Sequence, residues 1–390
     1  MTIRRSTAQY GLLVAVAALA TGIVVAAVLA DGRVDVRAAT NDGGAWLIRR
    51  SNGTVGQVNR ATGEATGTIG VATPGTDFDL EQDGPSIVVN DVSAQTLSVI
   101  DGRTFQVVNR IHSMASSHLA LAADGGVVWT ESPLQLWRLN AADLTQLVAL
   151  DPEDSLVALN GAGLAVTATD GTIWVVDLSG HRVGVVEPAD SGARWFDIGD
   201  AASTATAVTT VGTSLVIAGP GVGGPGVGGT ADGATVVGVD GSTHVINGVP
   251  AGSHLAIPAP ANSPLAAVTP DGVVLSAALG DPTAAEVGKA GGAQPVAPIA
   301  YQGCVFAAVA APPTFTRSCA GVTDQTVTLD GSTGASLRLR LVNGWIWVND
   351  LDSGALWVTS TTGAVDRIDD WGSDLSPDNN GDQESNQQGN

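Results

Sequence analysis

Few residues in this 390-residue chain stand at spacings that would make them a chemical unit. The clearest are its two cysteines, Cys304 and Cys319. Val305-Phe306-Ala307-Ala308-Val309, Ala311-Pro312-Pro313 and Thr314-Phe315-Thr316-Arg317-Ser318 separate them, which reads as strand, turn, strand. The midpoint of the pair falls at Ala311–Pro312, so a symmetric hairpin would set the sulfurs opposite each other as a disulfide. Two buried free thiols are the alternative. A zinc site wants four ligands, and no histidine is near.

The five histidines, His112, His118, His181, His244 and His254, are not paired at metal-ligand spacing, and each falls near an expected turn or strand end. Asn349-Asp350-Leu351-Asp352-Ser353-Gly354 looks like the start of a calcium loop, but Ser360 lies near where the bidentate Glu belongs, so a hairpin turn is expected. Leu351 to Trp357 faintly resembles the blade motif of quinoprotein dehydrogenases, yet the motif does not recur in the other repeats. No Gly-x-Ser-x-Gly elbow occurs. The run Gly226-Val227-Gly228-Gly229 has no following Lys and no strand-to-helix transition, so it is no phosphate cradle. Asn52-Gly53-Thr54 matches a glycosylation acceptor, a short pattern frequent by chance. A pair of glycosidase carboxylates cannot be located from sequence. No catalytic, metal or cofactor-binding residue is therefore assigned.

The elements that would position such groups are legible. After residue 40 no helical period persists. Short apolar or alternating runs are split by Asp-Gly pairs at 83, 101, 124, 170, 232, 240, 271 and 330, the pattern of an all-β chain. The runs recur as strand, turn, strand. Taking positions 46, 88, 128, 165, 216, 274, 306 and 346 as markers, eight copies repeat with a mean spacing of about 43 residues, which matches a β-propeller blade. The sixth copy is weak, so seven or eight blades are expected. The longest step, from 216 to 274, holds the low-complexity stretch 219–229, read as a loop inserted into a blade. Ring closure should bring the first and last repeats together and bury Trp46 and Trp345 near one seam. Tandem β-sandwiches would give similar strands but no echo of this length.

Tyr10 to Ala30 is 21 residues without a charge, with Arg4 and Arg5 before it and Asp31 after it. As a helix it would reach roughly 31 Å, enough to cross a bilayer core. The basic flank places residues 1–9 in the cytoplasm, 10–30 as a transmembrane signal anchor, and a propeller ectodomain over 40–365 outside. Cleavage after Ala30 as a signal peptide is the alternative. Residues 366–390 are acidic and rich in Asn, Gln, Gly and Ser, and are expected to form a disordered acidic tail or linker.

With 17 basic against 38 acidic residues the net charge is −21, and Lys289 is the only lysine. No basic face exists to displace the counterions of a nucleic acid. Acidic character favours cationic or polyhydroxyl partners.

Two resemblances add to this. Ile87-Val88-Val89-Asn90-Asp91, running on to Leu97-Ser98-Val99-Ile100-Asp101, resembles the YVTN-type propeller repeat, and Trp345-Ile346-Trp347-Val348-Asn349 with Ser353-Gly354 carries the same pattern. The order of basic N-terminus, single span, Ala/Gly/Val-rich propeller and acidic linker resembles the N-terminal portion of actinobacterial surface proteins that continue into Ig-like or fibronectin type III domains. These resemblances imply a fold and a place in the cell envelope, and bring no catalytic residues. The expectation is a non-catalytic binding or scaffold module whose partner is an envelope protein or polysaccharide. An exported carbohydrate hydrolase is the alternative.

Overall fold

Short runs of Val, Ile, Leu and Trp become strands here because β-branched and aromatic side chains pack well on a pleated surface. The computed structural model describes residues 44–84, 86–122, 125–220, 232–319, 322–333, 336–368 and 371. Their strands form eight antiparallel sheets, the blades of an eight-bladed β-propeller. In chain order the blades span residues 45–70, 78–112, 118–158, 163–197, 207–247, 254–289, 293–328 and 337–368. All but the first have four strand positions. In blade 7 the strand before Cys304–Ala311 is broken into Ala293–Pro295 and Ile299–Tyr301.

Eight apolar clusters hold the ring, one at each seam between neighbouring blades. The two-residue period of a strand is what divides them. Along Ala45–Arg49 of blade 1, Ala45 and Leu47 join Trp347, Leu356 and Val358 of blade 8. The alternate residues Trp46 and Ile48 pack instead with Phe78, Leu80, Ile87 and Val89 of blade 2. The first and last repeats therefore meet, but Trp46 and Trp345 do not share a seam. Trp46 points to blade 2, and Trp345 is only partly buried on the blade 8 side, with the Arg60 guanidinium 3.2 Å from its ring centroid.

Each of the eight sequence markers falls in a different blade, although two sit in the wrong strand. Position 165 lies in the first strand of blade 4, and position 274 in the third strand of blade 6. Moving them to the second strands, at 174 and 266, leaves seven steps of 40 to 50 residues. The weak sixth copy was hard to frame because its outer strand, Ala285–Lys289, is largely exposed and carries no apolar alternation. Residues 221–231 of the glycine-rich stretch lie outside the described residues, between Ser214–Ala218 and its hairpin partner Gly233–Val237. Six of the Asp-Gly pairs make the expected turns, and Gly84, Gly171, Gly241, Gly272 and Gly331 take φ of 54° to 87°, a region that costs glycine little. Asp232-Gly233 does not, since Gly233 opens a strand.

The propeller runs past residue 365, where the change of composition put its end. Asp366–Ile368 pairs with Leu356–Thr359 as the outer strand of blade 8, and Trp371 is buried at the seam with blade 1. Backbone pairing there needs only a few residues, which a compositional average over 366–390 hides. The rest of that segment, and the apolar run Tyr10–Ala30, lie outside the described residues. Among the described residues no helix is long and apolar enough to cross a membrane.

Cys304 and Cys319 form the disulfide, as directly opposed residues of one hairpin.

Candidate functional site

The strands nearest the axis line a central cavity of about 490 Å³, bounded by Glu81 and Gln82 of blade 2, Leu119 and Trp129 of blade 3, Val166 of blade 4, and Arg338 and Arg340 of blade 8. A second cavity of about 500 Å³ shares Glu81, Leu119, Trp129 and Arg338 with it.

Two alternating strands place the charges. In Phe78–Asp83, Phe78 and Leu80 are fully buried in the seam, which turns Asp79 and Glu81 the other way. In Leu337–Val342, Leu337 and Leu339 are buried, and Arg338 and Arg340 take the alternate positions. The two rows meet. Arg338 Nη2 donates to Glu81 Oε1 at 2.9 Å, its Nη1 pairs with Asp79, and Arg340 Nη2 donates to Asp79 Oδ1 at 2.9 Å. At the edge, Arg50 pairs with Asp77 at 2.6 Å and donates to the Phe78 carbonyl.

Blade 1 explains why blades 2 and 8 can touch. Trp46-Leu47-Ile48 matches the second strands of other blades, Ile87-Val88-Val89 and Trp345-Ile346-Trp347, and Ala65–Gly70 has the part-exposed character of an outer strand. Among the described residues blade 1 thus has three strands and none beside the axis. Side chains satisfy the inward amides of Ala45–Arg49: Gln82 Oε1 accepts from the Trp46 amide, and Asn349 Oδ1 from that of Ile48, both at 3.0 Å. The ion pairs close the remaining gap.

Burial is the largest influence on both carboxyls and raises each pKa. In Asp79 the nearby Arg338 and Arg340 outweigh it and hold the carboxyl below its ordinary range. In Glu81 burial prevails over the same arginines, and the neighbouring Asp79 charge adds to it, so the pKa is raised. The side chains keep 29% exposure, which is exposure to the channel inside a shell of protein.

The sequence reading did not single out these four residues. A signal was present, since Phe78-Asp79-Leu80-Glu81 and Leu337-Arg338-Leu339-Arg340 are alternating strands of opposite charge. Nothing local says that residues 257 positions apart are neighbours.

The histidines do not converge. His112 lies in an outer strand, His181 is 3.9 Å from Asp200, and His244 contacts the Leu279 carbonyl. His254 lies in the first strand of blade 6. Only His118 lines the second cavity, 3.3 Å from Glu131 and stacked on Trp129 with centroids 5.4 Å apart. Among the described residues no three His, Cys, Asp or Glu gather as metal ligands. Asp350, in the calcium-like stretch, is fully buried and accepts from Ser332, Thr333, Asp352 and Ser353, the hydrogen bonds of a turn.

Asn90 and Asn349, each in the second strand of its blade, act between blades. Asn90 Nδ2 donates to the Ser117 carbonyl, just before the next blade, at 2.7 Å, as Asn349 accepts from Ile48.

No protein-family model matches the chain, and no curated protein matches it. Solved structures do share the fold. BamB from Moraxella catarrhalis aligns over 82% of this chain and 93% of its own, at 14% identity and a TM-score of 0.55. Dihydro-heme d1 dehydrogenase NirN in complex with DHE aligns over 83% and 72%, at 12% identity and 0.56. Apo AztD from Citrobacter koseri aligns over 81% and 91%, at 13% identity and 0.52. At these identities the likeness is one of fold, and a propeller fold hosts many activities.

Proposed function

We propose that this chain is a membrane-anchored, extracytoplasmic propeller that acts as a non-catalytic binding or scaffold module of the cell envelope. The observation that carries the non-catalytic reading is the placement of Asp79 and Glu81. They stand two residues apart on one strand, on the same side, and both are held by Arg338. A glycosidase needs its two carboxyls to flank the scissile bond, one as acid and one as nucleophile or base. Neighbours on one strand that share a guanidinium do not flank a substrate.

One observation favours the hydrolase as second reading. The environments push the two pKa values apart, Asp79 down and Glu81 up, which is how acid and base roles are divided in such enzymes. Full chain in detergent, incubated with cell-wall glycan, is expected to release no reducing ends. Release that is lost in both Glu81→Gln and Asp79→Asn would overturn the non-catalytic reading.

The uncharged Tyr10–Ala30 run after Arg4 and Arg5 supports the anchor, and the Cys304–Cys319 disulfide supports an oxidising compartment. The YVTN-like repeats and the resemblance to actinobacterial surface proteins with Ig-like or fibronectin type III domains support an envelope role, with a protein or polysaccharide as partner. Protease added to intact spheroplasts is expected to digest the propeller. Its protection would sink the topology, and a mature N-terminus at Asp31 would sink the anchor.

A further inference from the structure

We propose that the cavity between blades 2, 3 and 8 binds one or two sugar units of a glycan, with the stacked rings of His118 and Trp129 as its apolar platform. The inference rests on the binding reading above and names its ligand class.

The cavity, about 500 Å³, is of the size that holds small molecules. Two features of its wall select the ligand. The first is the platform. The His118 and Trp129 rings lie 19° from parallel, and His118 is half exposed, so an aromatic face meets the cavity. A pyranose presents a patch of C–H groups that suits such a face.

The second feature is the balance of charge. Asp79 and Glu81 are neutralised by Arg338 and Arg340, so the wall attracts neither a free anion nor a free cation strongly. It still sets guanidinium donors beside carboxylate acceptors. A vicinal diol, whose hydroxyls each donate and accept, matches such a row.

Isothermal titration of the full chain tests the inference, in a polyoxyethylene detergent whose head carries no sugar. The probes are maltotriose and triacetylchitotriose, with inorganic phosphate as the anionic control. One of the saccharides is expected to bind, and about tenfold more weakly in both His118→Ala and Trp129→Phe. Melting temperatures check that both variants fold. If Trp129→Phe does not, His118→Ala decides alone, because that ring is half exposed. No heat from either saccharide at about 10 mM overturns the inference, as does binding that the variants leave unchanged or binding of phosphate alone. In those outcomes the scaffold reading stands on its own tests. Cleavage of a bound saccharide, lost in Glu81→Gln, would retain the cavity and remove the non-catalytic reading.

Discussion

The amide of Ile48 donates to Oδ1 of Asn349 at 3.0 Å, joining residues 301 positions apart in the chain. Both residues are fully buried. This bond is the polar part of the ring closure, and the Trp347–Leu47 cluster is its apolar part. Asn349→Ala leaves a buried amide without a partner. It is expected to cost about 1–3 kcal/mol, read as a lower denaturant midpoint at unchanged slope. An unchanged midpoint would mean that water replaces the asparagine there.

The channel ion pairs should be coupled. A double-mutant cycle on Arg340→Met and Asp79→Asn is expected to give an interaction energy of about 0.5–3 kcal/mol. Arg340 is 8% exposed and Asp79 29%, so the coupling should persist in 0.5 M salt better than that of an exposed pair. Additive single-mutant effects would show that the pair contributes nothing net.

Reduction of Cys304–Cys319 should lower stability without dissolving the fold, because seven of the eight seams hold no cysteine. For a closed loop of this length the loss is about 3 kcal/mol. Melting with and without reductant, alongside a Cys304→Ser, Cys319→Ser variant, measures it.

Asp350 sets an acid limit. Burial raises its pKa, but hydrogen bonds from Ser332, Ser353 and Thr333 outweigh that and hold it below its ordinary value. A carboxyl depressed in the folded state stabilises the fold above its unfolded pKa, and that stability is lost as pH falls through the folded value. Stability should therefore decline below about pH 4. Asp350→Asn should flatten part of this decline, and at pH 7 it should cost about 2 kcal/mol, since the amide nitrogen meets donors. Unfolding free energies of both proteins between pH 2 and 7 check the sign.

Trp371 closes the far end of the ring. It is 2% exposed, its indole donates to the Gly354 carbonyl at 2.5 Å, and its own carbonyl accepts from Arg49 at 2.9 Å. Trp371→Ala is expected to cost about 3–5 kcal/mol by thermal or chemical unfolding. A loss under 1 kcal/mol would show that the seam closes over the missing ring.

The repeat, the strands and the disulfide were legible because each is local. The apolar runs, the Asp-Gly turns and the Cys304–Cys319 hairpin depend on residues close in the chain, and the period of about 43 residues survives two misplaced markers. The outer strands Ala285–Lys289 and Asp366–Ile368 were lost because exposed outer strands carry little apolar signal. The site was legible only as two separate alternating strands of opposite charge. Alternation told which residues of Phe78–Asp83 and Leu337–Val342 leave the core, yet only closure of the ring decides that the two strands face each other. That juxtaposition depends on blade 1 having no described strand beside the axis, and on Gln82 and Asn349 capping the amides of Trp46 and Ile48 instead. Charge pairing across a ring is a property of its geometry, and a linear sequence carries the charges without their distances.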